Sequence, residues 1–189
     1  VTYTYANQTK AIDEISFNVS RGEKIAFIGP NGAGKSTLIA LLNGVLTSEG
    51  SIEIGGQLLE KKTIKSIRSK IGIVFQNPDD QLFSPTVFED VAFGPMNFGV
   101  SNDEIPKRVE KALSEVGLSG YEQRSSMQMS YGEKKLVSIA TILSSNPEII
   151  AMDEPTSNLD PYHRRKIINW IKKSERTIIV TSHDLEMLL

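Results

Sequence analysis

The 189 residues include 39% hydrophobic side chains, enough for one substantial core, and 21 Lys and Arg against 23 Asp and Glu. The resulting formal charge of −2 excludes a global attraction to nucleic acid or anionic lipid, so any such partner must meet a local patch. The absence of cysteine excludes disulfides and thiol chemistry and suits a reducing compartment, and no apolar run approaches the ~20 residues that span a bilayer.

The chain opens at Val1 rather than Met, and Leu189 falls inside an amphipathic helical pattern, so it reads as a fragment trimmed at both ends. Val1 to Tyr5 alternates β-branched and aromatic residues, and Ile12 to Val19 puts Ile15, Phe17 and Val19 on one face; both read as strands. Arg21-Gly22-Glu23 turns into the apolar run Ile25 to Ile28, which meets Gly29-Pro30-Asn31-Gly32-Ala33-Gly34-Lys35-Ser36-Thr37. A helix is expected over Lys35 to Leu42, stopped by Asn43-Gly44. Short strands follow at Ile52 to Ile54 and at Ile71 to Phe75, with Lys61-Lys62 a solvated edge between them. From Pro85 to about Ser145 β character disappears. Ile105, Val109, Ala112, Leu113 and Val116 form a helical stripe with Ser101 or Asn102 as its cap, and Tyr131 to Leu143 forms another. Strands return at Ile149 to Met152 and Thr177 to Thr181, separated by a helix from Tyr162 to Lys172. This alternation predicts an α/β fold with a mostly parallel sheet and an inserted helical lobe.

The stretch Gly29 to Thr37 fits the P-loop pattern G-x-x-x-x-G-K-[ST] between a strand and a helix. Its glycines let the backbone of Asn31, Gly32, Ala33 and Gly34 turn its N–H groups onto phosphate oxygens, Lys35 adds a point charge, and Ser36 can ligate Mg²⁺. Thr37 continues into the helix whose positive end faces the same anion.

Three further strands end in polar residues suited to such a ligand. Asp153 and Glu154 close the apolar run Ile149 to Met152, the strand edge where open α/β sheets place ligands. Asp153 can hold Mg²⁺ beside Ser36, and Glu154 can deprotonate an attacking water. Gln76 can touch the metal or the water with its amide, and His183 can bond a γ-phosphate oxygen or the attacking water. Alone, Gln76 would pass for a surface glutamine and His183 for a satisfied loop histidine. Ser130-Tyr131-Gly132-Glu133 opens a helix inside the lobe; it reads both as a capping box and as a second anion site built on Ser130 and Gly132.

Taken in order, the P-loop, Gln76, the Ser-x-Gly helix start, the Asp-Glu strand end, Ser157-Asn158-Leu159-Asp160 and His183 resemble the ATP-binding cassette (ABC) ATPases. The resemblance implies the ABC ATPase fold, with an antiparallel β subdomain added to the mostly parallel sheet and an α-helical signature subdomain inserted. It implies a single nucleotide-binding domain, with residues 1–84 and 146–189 as core and 85–145 as helical subdomain. It further implies ATP and Mg²⁺ as ligands, Walker A at Gly29 to Thr37, metal contacts from Ser36, Gln76 and Asp153, and Glu154, His183 and Gln76 as the hydrolytic set. Tyr5 resembles the family's adenine-stacking aromatic, with Tyr3 as competitor and a plain strand-face aromatic as the alternative.

In that family two cassettes pair head to tail, so Ser130 and Gly132 of one chain would complete the P-loop of the other. The signature here, Met129-Ser130-Tyr131-Gly132-Glu133, departs from the common Leu-Ser-Gly-Gly-Gln by Tyr131 and Glu133. The runs Val74 to Phe83 and Thr86 to Pro95 are most similar to cassettes of cobalt/nickel and energy-coupling-factor vitamin importers. The resemblance therefore implies an ATPase peripheral to the cytoplasmic face of the cell membrane, docked on an integral membrane subunit near Gln76 and Phe83 to Val87. The alternative is a soluble ABC ATPase acting on DNA or ribosomes. The 54-residue gap between Gln76 and Ser130 leaves no space for a long coiled coil, and no basic stripe is present, so no nucleic acid partner is expected.

Overall fold

The computed structural model describes residues 1–183; the helical pattern expected to run to Leu189 lies outside the described residues. The chain divides into two compact units, one of Val1–Ile73 with Glu148–Glu154 and the segment from Glu175 on, the other of Val74–Pro147 with Pro155–Ser174.

In the first unit, β3 (Lys24–Ile28), β6 (Ile71–Val74), β7 (Ile149–Asp153) and β8 (Thr177–Ser182) form a sheet in the order β3-β8-β7-β6. β8 runs parallel to both neighbours, pairing Ile28 with Ser182 and Asp153 with Thr181. Every residue of β8 is buried, as an interior parallel strand requires. α1 (Lys35–Leu42) packs Ile39 and Leu42 into a core with Ala151, Ile179 and Ile71. Its Leu38 and Leu41 meet Ile12 in a second cluster.

Two antiparallel pairs lie in the same unit: β1 (Tyr3–Thr4) with β2 (Lys10–Ile12), and β4 (Glu53–Ile54) with β5 (Gln57–Leu58). The strand expected from Ile12 to Val19 is not formed. Glu14 takes a left-handed φ of +48°, which ends the ladder at Ile12. Beyond it, Ile15 exchanges backbone hydrogen bonds with Val1, and Ile15 and Val19 pack on the core without a strand partner. α2 (Ile64–Lys70), absent from the sequence reading, buries a single residue, Ile67, so its amphipathic pattern is too short to register.

The second unit holds α3 (Val87–Asn97), α4 (Ile105–Glu115) and α5 (Tyr131–Leu143), each packed on the other two, with α6 (Pro161–Lys173) against α5. α4 does not start on a Ser101 or Asn102 side-chain cap. Its N-cap is Glu104, whose side chain makes no capping bond, and Ser101 supplies its carbonyl oxygen to the N–H groups of Glu104 and Ile105. α6 starts as its sequence dictates, with Pro161 at the first position and the Asp160 carboxylate accepting from the N–H groups of Tyr162 and His163. By packing it belongs to the second unit, a grouping that strand and helix alternation does not reveal.

Candidate functional site

The loop from β3 to α1 is shaped by Gly34. Its φ is +83°, and a Cβ there would sit 2.2 Å from the Ala11 carbonyl oxygen, so only glycine lets the loop lie on β2. Because Gly34 is also the N-cap, α1 begins with no side-chain cap and no acidic residue in its first turn. Its leading N–H groups and positive end are therefore left to an outside anion. Asn31, Gly32, Ala33 and Ser36 are exposed around that end, whereas Thr37 is buried.

Lys35 Nζ donates to the carbonyl oxygens of Gly29 at 2.9 Å and Pro30 at 3.1 Å and lies 3.2 Å from Glu154 Oε1. Glu154 is only 4% exposed and holds a left-handed φ of +44°, a costly conformation for a side chain of this size. Its N–H donates to the Thr181 carbonyl oxygen at 3.0 Å, which carries the pairing with β8 one residue past the end of β7. The second carboxylate oxygen, Oε2, is 2.8 Å from His183 Nδ1. The carboxylate is thus aimed by a lysine on one side and an imidazole on the other.

Asp153, 7% exposed, accepts a 2.6 Å hydrogen bond at Oδ1 from the Thr181 hydroxyl. Thr181 orients Asp153 through a side chain that sequence reasoning did not assign; its signal was its place directly across from Asp153 in the parallel ladder. Tyr5 follows β1, and its hydroxyl is 2.7 Å from Thr37 Oγ1. Tyr3 packs into the α1 cluster while Tyr5 stays 39% exposed and meets Tyr3 edge-on. The first unit thus gathers the P-loop, Asp153, Glu154, His183 and Tyr5.

The second unit carries Gln76, Ser130 and Gly132. Gln76 is exposed just past β6, with its carbonyl oxygen held by α5. Ser130 caps α5 in a complete capping box: its Oγ accepts from the Glu133 N–H and donates to Glu133 Oε2, which also takes the Ser130 N–H at 2.9 Å. The Tyr121 hydroxyl donates to the other oxygen of Glu133 at 3.0 Å. These bonds, the Ser130 N–H foremost, hold the Glu133 carboxyl below its usual range, and the same carboxylate pushes the Tyr121 phenol up. Gly132 is needed for a reason its sequence did not disclose. A Cβ there would be 2.3 Å from the ring of His163, which the Asp160 carboxylate holds in place.

The sequence profile described as ABC transporter matches residues 12–157. The chain belongs to the ABC transporter family. It is 50% identical to the energy-coupling factor transporter ATP-binding protein EcfA of Methanothermobacter thermautotrophicus, over all of the chain and 62% of that protein. It thus spans less than two thirds of the length of that relative. EcfA of Methanococcus maripaludis is 47% identical over 98% of the chain and 69% of its own length. Among solved structures, CbiO1 of Clostridium perfringens, part of the ABC transporter complex CbiONQ, superposes with a TM-score of 0.87 at 39% identity, covering 99% of this chain and 77% of that one. A dimeric ATP-binding cassette in a post-hydrolysis state bound to ADP and Pi gives 0.85 at 30% identity over 98% and 86% of the two chains. The fold is that of the ABC ATPases.

Proposed function

We propose that the chain is the ATP-binding and ATP-hydrolysing cassette of an energy-coupling-factor importer, acting as one nucleotide-binding domain that pairs head to tail with a second cassette. The names of the EcfA relatives and of CbiO1 support a transporter of this type; the cargo in this reading is cobalt or nickel ions or a vitamin. Among the described residues no helix is long and apolar enough to cross a membrane; in this reading an integral partner holds the cassette on the cytoplasmic face. Phe83 and Phe93, 65% and 51% exposed and in edge-on contact, would offer that partner an apolar foothold beside the Phe83 to Val87 segment.

The observation that carries the reading is the Lys35–Glu154–His183 chain beside an uncapped helix end. In the proposed reaction the N–H groups from Asn31 to Thr37 and the Lys35 ammonium bind the triphosphate, and Tyr5 stacks on adenine. Glu154 takes a proton from the water whose oxygen bonds to the γ-phosphorus as the bond to the β-γ bridging oxygen breaks. His183 keeps the carboxylate aimed and reaches the γ-phosphate. Ser36 and Asp153, with Gln76, would supply the hard oxygen donors that Mg²⁺ prefers, and the hydroxyl of Thr181 holds Asp153 in place. The ion would neutralise phosphate charge. Ser130 and Gly132 of the second cassette would close over the γ-phosphate.

Glu154→Gln tests the assignment of the base. Turnover should fall by about 10²- to 10⁴-fold while ATP binding and ATP-dependent dimerisation persist. Undiminished turnover would overturn it, and activation by DNA or ribosomes without a membrane subunit would overturn the importer reading.

A further inference from the structure

The first turns of α5 hold more than Ser130. The Tyr131 hydroxyl donates to the Gln76 carbonyl oxygen at 3.2 Å. The Lys135 ammonium, whose residue is fully buried, donates to that same oxygen at 2.8 Å and to the Phe75 carbonyl oxygen at 2.7 Å. One helical turn further on, Gln81 completes the grip: its Oε1 accepts from the Phe75 N–H at 3.1 Å, and its Nε2 donates to the Ser138 carbonyl oxygen at 2.8 Å. Lys134 adds an ion pair to Asp79 at 2.7 Å.

The backbone of Phe75 and Gln76 is therefore fastened through both carbonyls and one N–H, all to α5 directly or through Gln81. The Phe75 and Gln76 carbonyls belong to the two peptide planes that flank the Gln76 Cα, so with both planes held the tetrahedral geometry at that carbon sets the direction in which its side chain departs. Two of the donors, Tyr131 and Lys135, stand one and five residues beyond Ser130 on the same helix. Tyr131 replaces a glycine of the common signature, so the position that elsewhere carries no side chain here carries a tether.

We infer that Tyr131 is a positioning residue for Gln76: its hydroxyl fixes the Gln76 peptide to the signature helix, so that the signature serine and the glutamine move together. The inference rests on the proposed role of Gln76 in hydrolysis. It requires no contact between Tyr131 and nucleotide, and it leaves the P-loop untouched.

The test is a double-mutant cycle on steady-state ATP hydrolysis by the full-length protein, with Tyr131→Phe removing only the hydroxyl, Gln76→Ala removing the side chain, and thermal unfolding as control. Gln76→Ala should lower kcat by about tenfold or more. Tyr131→Phe should lower kcat by about three- to tenfold with KM for ATP unchanged, the loss of one hydrogen bond, and with the unfolding midpoint essentially unmoved. The double variant should stay within about twofold of Gln76→Ala alone, because a glutamine that is absent cannot be misplaced. If Gln76→Ala leaves turnover intact, the role of Gln76 falls and this inference with it. If Gln76→Ala impairs turnover but Tyr131→Phe has no effect, raises KM instead of lowering kcat, or multiplies with Gln76→Ala, the inference alone is overturned.

Discussion

Two helices of this chain begin where the sequence offers an anion site, and they begin in opposite ways. α1 follows a left-handed glycine, has no side-chain cap and carries no acid in its first turn. α5 follows Ser130, closes a reciprocal capping box, and places the Glu133 carboxylate on the N–H and hydroxyl of Ser130 at its start. The first helix leaves its positive end open to an arriving phosphate; the second has already neutralised much of its own. A helix N-terminus thus acts as a receptacle only where the chain declines to fill it. From α5, an incoming phosphate would chiefly gain the Ser130 hydroxyl, whose proton it must win from Glu133 Oε2.

Substitutions at the start of each helix probe this contrast. The largest effect should come from Gly34→Ala. The added methyl meets the Ala11 carbonyl at 2.2 Å in a left-handed backbone, which should cost ~3 kcal/mol or more in urea unfolding. A variant within about 0.5 kcal/mol of the parent would show that the loop does not need to lie on β2. Lys35→Ala comes next. Removing a charged donor from the open helix end should weaken ATP binding about 10- to 100-fold in equilibrium titration, and unchanged affinity would break the reading of α1 as the receptacle.

On the other helix, Gly132→Ala should destabilise by ~1–3 kcal/mol because its Cβ meets the His163 ring, and His163→Ala should restore most of that loss in the double variant. Failure of that rescue would mean the glycine is required for something other than the fit between α5 and α6. The smallest effect belongs to Ser130→Ala, at about 1 kcal/mol of stability from the lost cap. That difference should depend on pH. The folded Glu133 carboxyl titrates below its ordinary value near 4.5, so the box contributes fully above that value and its contribution is lost as pH falls through the folded value. A gap between parent and Ser130→Ala that stays constant on acidification would exclude Glu133 as the partner.

What could be read in advance follows from how local each feature is. The boundaries of α1 and α5 emerge from Lys35, Leu42, Tyr131 and Leu143 because caps and apolar periodicity act within a few residues of chain. That Asp153, Glu154 and His183 lie together was legible because strand ends in a parallel sheet collect on one edge. The missed features are conformational or distant. The left-handed turn at Glu14 ends β2 where Asp13 and Glu14 interrupt the spacing, but the alternation of Ile15, Phe17 and Val19 resumes at once and reads as a continuing strand. The hydroxyl of Thr181 reaches Asp153 only because the two residues are paired across 28 positions of sequence. Tyr131 looked like a simple loss of a glycine, since its partner carbonyl is 55 residues away. The His163 ring over Gly132 belongs to a helix that sequence order groups with the sheet.

The strand order β3-β8-β7-β6 also sets a timetable for synthesis. β8 lies between β3 and β7, so among the described residues the strand that leads into the P-loop has no sheet neighbour until the ribosome has passed Ser182. Until then, β3 and β7 each present the edge that β8 will occupy, including the apolar Ile150, Ala151 and Met152. Those edges are templates for the wrong strand, and domains generally fold as units during translation. A nascent chain halted before Thr177 would carry the complete P-loop sequence and yet no assembled site, with aggregation or chaperone capture as its nearest alternatives.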